Sequence, residues 1–352
     1  MGKAEQELFN GNNIRIGIWL TILVFCFVGF KIYSDVCSEN VSLKYADSNR
    51  YLLVHSDNDI HSLYAEIENG NYLNNFASFK RLANLIQLKD KLKPGRYILS
   101  KGMSNFDLLK KLIKGRQEPV DIVFNYAERL SDLSGFFGQN LELDSNNLLA
   151  MLHDSAVSKK YGFDSVNFIG MFIPNTYNFY WNTLSAAFLE RMKREYSTFW
   201  TADRIGKAMA CKLTPQQVST LASIVQKESN KNDEMPIVAG VYLNRLRLGM
   251  PLQADPTVIY AWNDKSIKRV TNMHTSIFSP FNTYKNIGLP PGPICAPSIK
   301  ALDAVLNYSQ HNYLYFCARE DLSGYHTFAA SFQQHQQNAK RYQMALNAMN
   351  IR

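Results

Sequence analysis

The apolar positions of this chain follow three regimes. In the first, residues 16–33 form a run of 18 with a single charge, Lys31, placed near one end where its stem can snorkel. At 1.5 Å per residue a helix of that length spans about 27 Å, close to the hydrocarbon thickness of a bilayer. A cleavable signal peptide is the competing reading. Against it, Ser34-Asp35-Val36-Cys37 offers no small-x-small cleavage site, and no lipobox precedes Cys37. The expectation is an uncleaved anchor over residues 16–33, with residues 1–15 as a cytosolic tail and the rest outside the cytoplasm.

In the second regime, from about residue 51 to 114, alternation and helical spacing take turns. YLLVHS from Tyr51 reads as a strand; two helices follow, the first capped by Asp57 or Asp59; a second strand comes after Lys93-Pro94-Gly95. Ser104 then caps a helix with Phe106, Leu108, Leu109, Leu112 and Ile113 on its apolar side. This strand, helix, helix, strand order predicts a small α/β module within residues 34–119, serving either as a binding unit or as a spacer. A strand at residues 120–124 and a helix starting near Ser131 open a larger mixed domain, residues 120–352. Its further expected elements are a helix at residues 184–200, a buried strand at residues 313–317, a turn at Gly324 before His326-Thr327-Phe328, and a polar helix over residues 332–349. The fold class is α+β.

The third regime, residues 221–262, is the stretch around which the larger domain is expected to form. Leu221, Ile224, Val225 and Glu228 fall at i, i+3, i+4 and i+7, so a carboxylate ends an otherwise apolar helix face. Ser229, Asn230 and Asn232 break the helix, which leaves Glu228 in the last turn, where the macrodipole disfavours an ionised carboxylate. Partial burial beside Ile224 and Val225 pushes the same way, toward the raised pKa of a general acid. The plain alternative is a helix-end glutamate turned to water. A second helix runs from Pro236 to the stop at Gly249, and Asp255 with Pro256 reads as an N-cap and first helical residue opening a third. A second catalytic carboxylate facing Glu228 is the other reading of Asp255. Eight of the 12 prolines lie between Pro236 and Pro297, so fixed loops, the material of cleft walls, dominate this region. The Gly170–Tyr177 run is aromatic and turn-rich, as ligand-facing loops and core loops both are.

Composition narrows the function classes. The formal charge of +8 invites a nucleic-acid reading, yet the basic residues are scattered, and the one dense cluster, Lys80 to Arg116, is interleaved with apolar positions as on a solvated helix face. Cys26, Cys37, Cys211, Cys295 and Cys317 show no metal-ligand spacing, and His311, His326 and His335 show no HExxH-type pairing. No metal, no cofactor and no disulfide framework are expected. Phosphate-binding glycine motifs and a GxSxG elbow are absent from the sequence.

The runs LKPGRY at 92–97, ERLSDL at 128–133, FIPNTY at 172–177, ASIVQKES at 222–229, VYLNRLRLGMPLQADPTVIY at 241–260, FNTYKNIGLPPGPI at 281–294, YLYF at 313–316 and HTF at 326–328 together resemble the endolytic murein transglycosylase (MltG, YceG-like) family. The resemblance covers the chain from about residue 50 to 335 and implies that Glu228, in the Lys-Glu pair, is the catalytic acid. Two departures are Gln226, where relatives often carry Glu, and Asn175, where a Pro-Asp-Thr run is common. The implied activity is cleavage of the β-1,4 bond between N-acetylmuramic acid and N-acetylglucosamine inside glycan strands, giving 1,6-anhydro ends and terminating nascent strands. A single carboxyl group suffices when the sugar's own C6 hydroxyl attacks, because the group that gives a proton can later take one back. An ordinary glycosidase needs two, here Glu228 and Asp255, and that hydrolase is the alternative, beside a non-catalytic wall-binding scaffold. Under the resemblance Gln253, Asn282, Tyr284 and Asp255 are expected to contact sugar and Tyr177 to stack on it. The small module resembles a LysM fold. Expected partners are peptidoglycan strands, membrane-bound peptidoglycan synthases and the plasma (inner) membrane, crossed once with the N-terminus cytoplasmic; nucleic acid is not among them.

Overall fold

The computed structural model describes residues 3–42, 50–57 and 59–348, with side chains from residue 15 onward. Two compact units divide the chain. One comprises Met1–Val120 with Asn178–Asn182, the other Asp121–Tyr177 with Thr183–Arg352. The return of five residues to the first unit is a feature the sequence pattern did not announce.

The first unit begins with helix α1, Lys3–Cys37. Its segment Arg15–Cys37, 23 residues, is long and apolar enough to cross a membrane and none of it is buried in the protein. No break separates the expected tail from the expected anchor, and the helix runs past Tyr33. It does so because Asp35, near its end, accepts ion pairs from Lys31 at 3.2 Å and Arg81 at 2.7 Å. The start of the expected tail, residues 1–2, lies outside the described residues.

Strand β1 (Arg50–Val54), helices α2 (Ile60–Asn69) and α3 (Phe76–Leu85), strand β2 (Gly95–Leu99) and helix α4 (Asn105–Lys114) follow. β1 and β2 pair antiparallel, with Leu52 opposite Tyr97, and enclose a core of Leu52, Ile67, Phe79, Leu88, Tyr97, Leu108 and Leu112. Period-two burial of Gly95, Tyr97 and Leu99 is what the strand pattern demands. Asp59, rather than Asp57, caps α2 by accepting from the amides of His61 and Ser62. Ser104 and Asp107 form a reciprocal capping box on α4, and Gly115, at φ +65°, ends it. Phe106 was expected on the apolar side of α4 but stands 52% exposed. Next to this cap sits a buried amide network: Asn40 donates to Asn105 Oδ1 at 2.6 Å, and Asn105 donates to Ser78 Oγ at 2.9 Å. Trp181, from the returning segment, packs edge-on against His55 at 5.1 Å, and the Asn182 amide donates to the carbonyl of Pro94 at 3.4 Å.

The second unit carries most of strand β3 (Val120–Phe124), helices α5 (Leu130–Asn140), α6 (Ser145–His153) and α7 (Ser155–Lys160), and the start of strand β4 (Asn175–Phe179). Then come α8 (Ser185–Phe199), α9 (Ala202–Ala210), α10 (Pro215–Glu228), α11 (Met235–Arg247), α12 (Asp255–Trp262), α13 (Asn272–Thr275), α14 (Ile299–Leu306), the antiparallel pair β5 (Tyr315–Ala318) and β6 (His326–Ala329), and α15 (Phe332–Ala348). The expected end of the last helix, Met349, is outside the described residues. β5 starts two residues later than the expected strand and is part-buried throughout, not buried: Tyr315 packs against Phe332 and His335 of α15, and its neighbour Phe316 against Tyr242 of α11, so each face is covered in part.

At the centre is α10, packed by α11, α12 and α14. Thr214 and Gln217 cap its start reciprocally and Pro215 opens it. An amphipathic helix with one apolar face was expected; instead all eight residues from Val218 to Val225 are buried. Ser219, Thr220 and Ser223 can be buried because each hydroxyl donates to a carbonyl of the preceding turn, at 3.1, 3.0 and 2.7 Å. Ser223 Oγ also accepts from the amide of Ile294 at 3.0 Å, tying the proline-rich loop to the helix.

Replacing Asn105 by Ala would take from the buried Asn40 amide one of its two acceptors, leaving it the carbonyl of Asn75 at 3.0 Å, and would remove the donor to Ser78 Oγ. The expected cost is about 1–3 kcal/mol of unfolding free energy, read from urea denaturation followed by far-UV circular dichroism.

Candidate active site

Glu228 is the last residue of α10, and the side chains that meet it come from five later segments. Together Glu228, Tyr242, Arg245, Leu252, Gln253, Asp255, Tyr284, Phe316 and His335 line a pocket of about 290 Å³. A larger cavity, about 660 Å³, lies toward the N-terminal end of α10 between Thr214, Gln217, Arg247 and Pro291. Its lining contains Lys212 and Arg247 but no carboxylate, whereas Glu228 and Asp255 both line the smaller pocket.

The Tyr242 hydroxyl donates to Glu228 Oε1 at 2.8 Å. Tyr242 is 1% exposed, and its own titration is pushed far above the ordinary phenol range by burial and by Glu228. Burial likewise pushes Glu228 up, to about 7, and the charge of Asp255 adds to the rise; the Tyr242 bond and the charge of Arg245 oppose it. Near neutral pH this carboxyl is therefore shared between acid and carboxylate forms, with one oxygen occupied by the protein and the other left for a ligand.

Arg245 lies three residues after Tyr242 on α11, hence on the same face. It is 8% exposed, yet its guanidinium donates to backbone carbonyls: Leu314 at 2.7 Å, Leu252 at 2.9 Å and Pro251 at 3.2 Å, with Gln253 Oε1 at 3.3 Å. The arginine thereby fastens the loop after α11 to the approach of β5. Gln253, with φ +50°, is held by this bond and by its amide donating to the carbonyl of Thr283 at 3.1 Å.

Asp255 is not the N-cap expected from the Asp-Pro pair. Ala254 occupies that position, Asp255 is already helical, and no side chain caps α12. The carboxylate instead accepts from the Tyr284 hydroxyl inside the pocket. Burial raises its pKa while the Tyr284 bond lowers it. Asp255 thus lines the same pocket as Glu228.

Two side chains expected to contact sugar are placed otherwise. The Asn282 amide is fully buried and donates to the carbonyls of Thr275 and Ile277 at 2.9 and 2.8 Å, while its oxygen accepts from the Tyr284 amide at 3.0 Å. It shapes the loop that delivers Tyr284, with both amide N–H donors used and the side chain shut off from solvent. Tyr177 is 3% exposed, donates to the carbonyl of Ile173, and does not line the pocket. The loop it belongs to is a core loop: Met171, Phe172 and Ile173 are all buried.

Other members were missed. Tyr242 and Arg245 break an apolar helix at spacing i, i+3, the same kind of signal that singled out Glu228. Behind the site Glu234, 3% exposed, accepts from Ser229 Oγ at 2.9 Å, from the His326 amide at 2.7 Å, and contacts His326 Nδ1 at 2.7 Å. This bond set holds the segment leaving Glu228 against β6. Phe316 and His335 reach the pocket from β5 and α15, by contacts no local pattern foretells. All five cysteines are free, and Cys211 and Cys295 are buried.

The overall fold is that of a solved YceG-like structure. A crystal structure of a yceG-like protein from Listeria monocytogenes superposes with a TM-score of 0.56 at 24% identity, covering 83% of this chain and 99% of that one. The YceG-like family profile matches residues 52–341, so the chain belongs to the YceG-like family. A curated relative, the endolytic murein transglycosylase of Streptococcus pneumoniae (serotype 2, strain D39), is 32% identical over 263 residues, 64% of this chain and 46% of that protein. The chain thus spans about half the length of this relative. The endolytic murein transglycosylase of Bacillus subtilis (strain 168) is 27% identical over 263 residues, 70% of this chain and 72% of that protein.

Because Glu228 titrates higher folded than unfolded, the native state holds the extra proton, and stability from this group is lost as pH rises from the ordinary carboxyl range through about 7. Glu228→Gln removes that penalty. The variant is expected to exceed wild type in unfolding free energy by on the order of 1–3 kcal/mol at pH 8, with the difference vanishing near pH 4, in denaturant titrations at both pH values. Glu234→Ala removes the acceptor of the His326 amide and ring and of the Ser229 hydroxyl, which keeps only the bond it accepts from the Lys231 amide, and is expected to cost about 2–4 kcal/mol, measured the same way at pH 7.

Proposed function

We propose that this chain is a membrane-anchored endolytic lytic transglycosylase that cuts the β-1,4 bond between N-acetylmuramic acid and N-acetylglucosamine within peptidoglycan strands. The observation that carries the reading is the Glu228 carboxyl, held partly protonated near neutral pH with one oxygen bonded by Tyr242. Support comes also from membership of the YceG-like family and from the names carried by the Streptococcus and Bacillus relatives.

In this mechanism the free oxygen of Glu228 gives its proton to the glycosidic oxygen as the C1–O bond breaks. The C6 hydroxyl of the same N-acetylmuramic acid then closes on C1, and the Glu228 carboxylate takes the C6 hydroxyl proton, which restores the acid. Products are a 1,6-anhydro end and a free 4-hydroxyl, with no water consumed. Tyr242 fixes the direction in which the carboxyl points, Asp255 with Tyr284 supplies an acceptor and negative charge near the developing cation, and Arg245 keeps Gln253 in the wall. The segment Arg15–Cys37 serves as the anchor, with the N-terminus cytoplasmic and the two units beyond the membrane. The β1–α2–α3–β2 module serves as a LysM-like glycan-binding unit. Membrane-bound peptidoglycan synthases, whose nascent strands it would terminate, are the fitting partners.

A second reading is favoured by one observation, the pocket position of Asp255: a hydrolase in which Asp255 acts with Glu228. The products separate the two. Purified protein given uncrosslinked glycan strands is expected to yield anhydro ends by mass spectrometry, whereas reducing ends would establish hydrolysis. Glu228→Gln is expected to lower the rate at least about 10³-fold under either chemistry. Since the first step needs the protonated acid, kcat/KM is expected to fall as pH rises through about 7. Tyr242→Phe deletes a bond that favours the ionised form, so that alkaline limb should move upward in a pH–rate profile.

A further inference from the structure

Most polar groups of the Glu228 pocket already have protein partners. Glu228 Oε1 is bonded by Tyr242, the Arg245 guanidinium by carbonyls, Gln253 Oε1 by Arg245, and Asp255 by Tyr284. His335 differs. It reaches the pocket wall from α15, and no hydrogen bond engages its ring among the described residues. Nδ1 is sealed from solvent with nothing to bond to.

The ring is nevertheless held in place. It stacks on Tyr315 with centroids 5.3 Å apart and planes 20° from parallel, and the Arg245 guanidinium lies 5.3 Å from the same tyrosine ring. Burial and the charge of Arg245 both lower its pKa, so the imidazole is neutral at neutral pH and carries one proton. That proton has two possible seats. A buried N–H without an acceptor is rarer and costlier than a lone pair without a donor, so the sealed Nδ1 keeps the lone pair and Nε2 carries the hydrogen. With Nδ1 sealed, Nε2 is the nitrogen that His335, as a residue of the pocket lining, has available for a ligand.

We infer that His335 is a substrate-contacting residue, whose Nε2–H donates a hydrogen bond to an acceptor oxygen of an N-acetylated sugar bound beside Glu228. Tyr315 is its positioning residue. This role rests on the proposed function of the pocket and adds to it a neutral donor from the last helix, which discriminates by hydrogen bonding without adding charge near the developing cation.

The test compares two replacements in the full-length protein acting on uncrosslinked glycan strands. Phenylalanine keeps the flat ring on Tyr315 but cannot donate; glutamine places an amide nitrogen about where Nε2 stands. His335→Phe is expected to lower kcat/KM about tenfold, while the alkaline limb set by Glu228 stays put; His335→Gln should remain within about threefold of wild type. Thermal melts of both variants verify folding. A His335→Phe protein that cleaves like wild type overturns the inference and leaves the reading of the pocket intact. Equal losses in both replacements also overturn it, since the ring would then act by packing alone. A wild-type protein that releases no product, in an assay where a known muramidase does, overturns both readings together.

Discussion

A carboxyl group withdrawn from water must be neutralised or bonded, because an ionised one left bare inside a protein is too costly to keep. The second unit can be understood as the arrangement that meets this constraint at Glu228. Tyr242 takes one oxygen, burial keeps the proton on near neutral pH, and the cationic Arg245 stands close enough to temper the rise without forming an ion pair that would abolish it. An arginine bonded to carboxylate would pull Glu228 down into the ordinary acid range. Bonded through Nε and Nη1 to carbonyls of Leu314, Leu252 and Pro251, it is turned to the backbone and its influence on Glu228 is indirect.

The same economy of polar groups runs through the scaffold. α10 can be buried on all sides although a third of its middle is hydroxylic, because Ser219, Thr220 and Ser223 return their hydroxyls to the helix's own carbonyls. The loops contributed by the proline-rich region are tied by side chains rather than by sheet. Asn282 bonds three backbone groups, and Thr283 receives the Ala254 amide at 3.0 Å, which together bring Tyr284 and Asp255 face to face. Rigid loops of this kind place functional groups to within fractions of an ångström without regular structure beneath them.

What could be read from the sequence was what depends on near neighbours. A helix start at Asp57 or Asp59 and another at Ser104, the strand, helix, helix, strand order of the small module, and the position of Glu228 at a helix end follow from spacing and capping chemistry over a few residues. The family resemblance added the rest of the expected site, whose residues the fold distributes between the pocket and the core. Asn282 and Tyr177 have the composition of ligand contacts but are consumed by the core, since an amide or hydroxyl near several free carbonyls satisfies those first. Asp255 sits before proline as an N-cap would, yet the chain begins the helix at Asp255 itself. Phe316 and His335 could not have been named from local pattern, because they meet Glu228 only through long-range folding of the last 40 or so residues onto α11.

The brief return of Asn178–Asn182 to the first unit has a bearing on how this chain is made. A polypeptide emerging from the ribosome can complete the β1–β2 module early, but Trp181 and Asn182, which pack against His55 and Pro94, arrive only after α5, α6 and α7 have been synthesised. The first unit is thus finished late, by a piece of chain lying inside the sequence of the second. Biogenesis of the two is interlocked rather than sequential, and a gene cut at the junction between Val120 and Asp121 would deprive the first product of its closing segment.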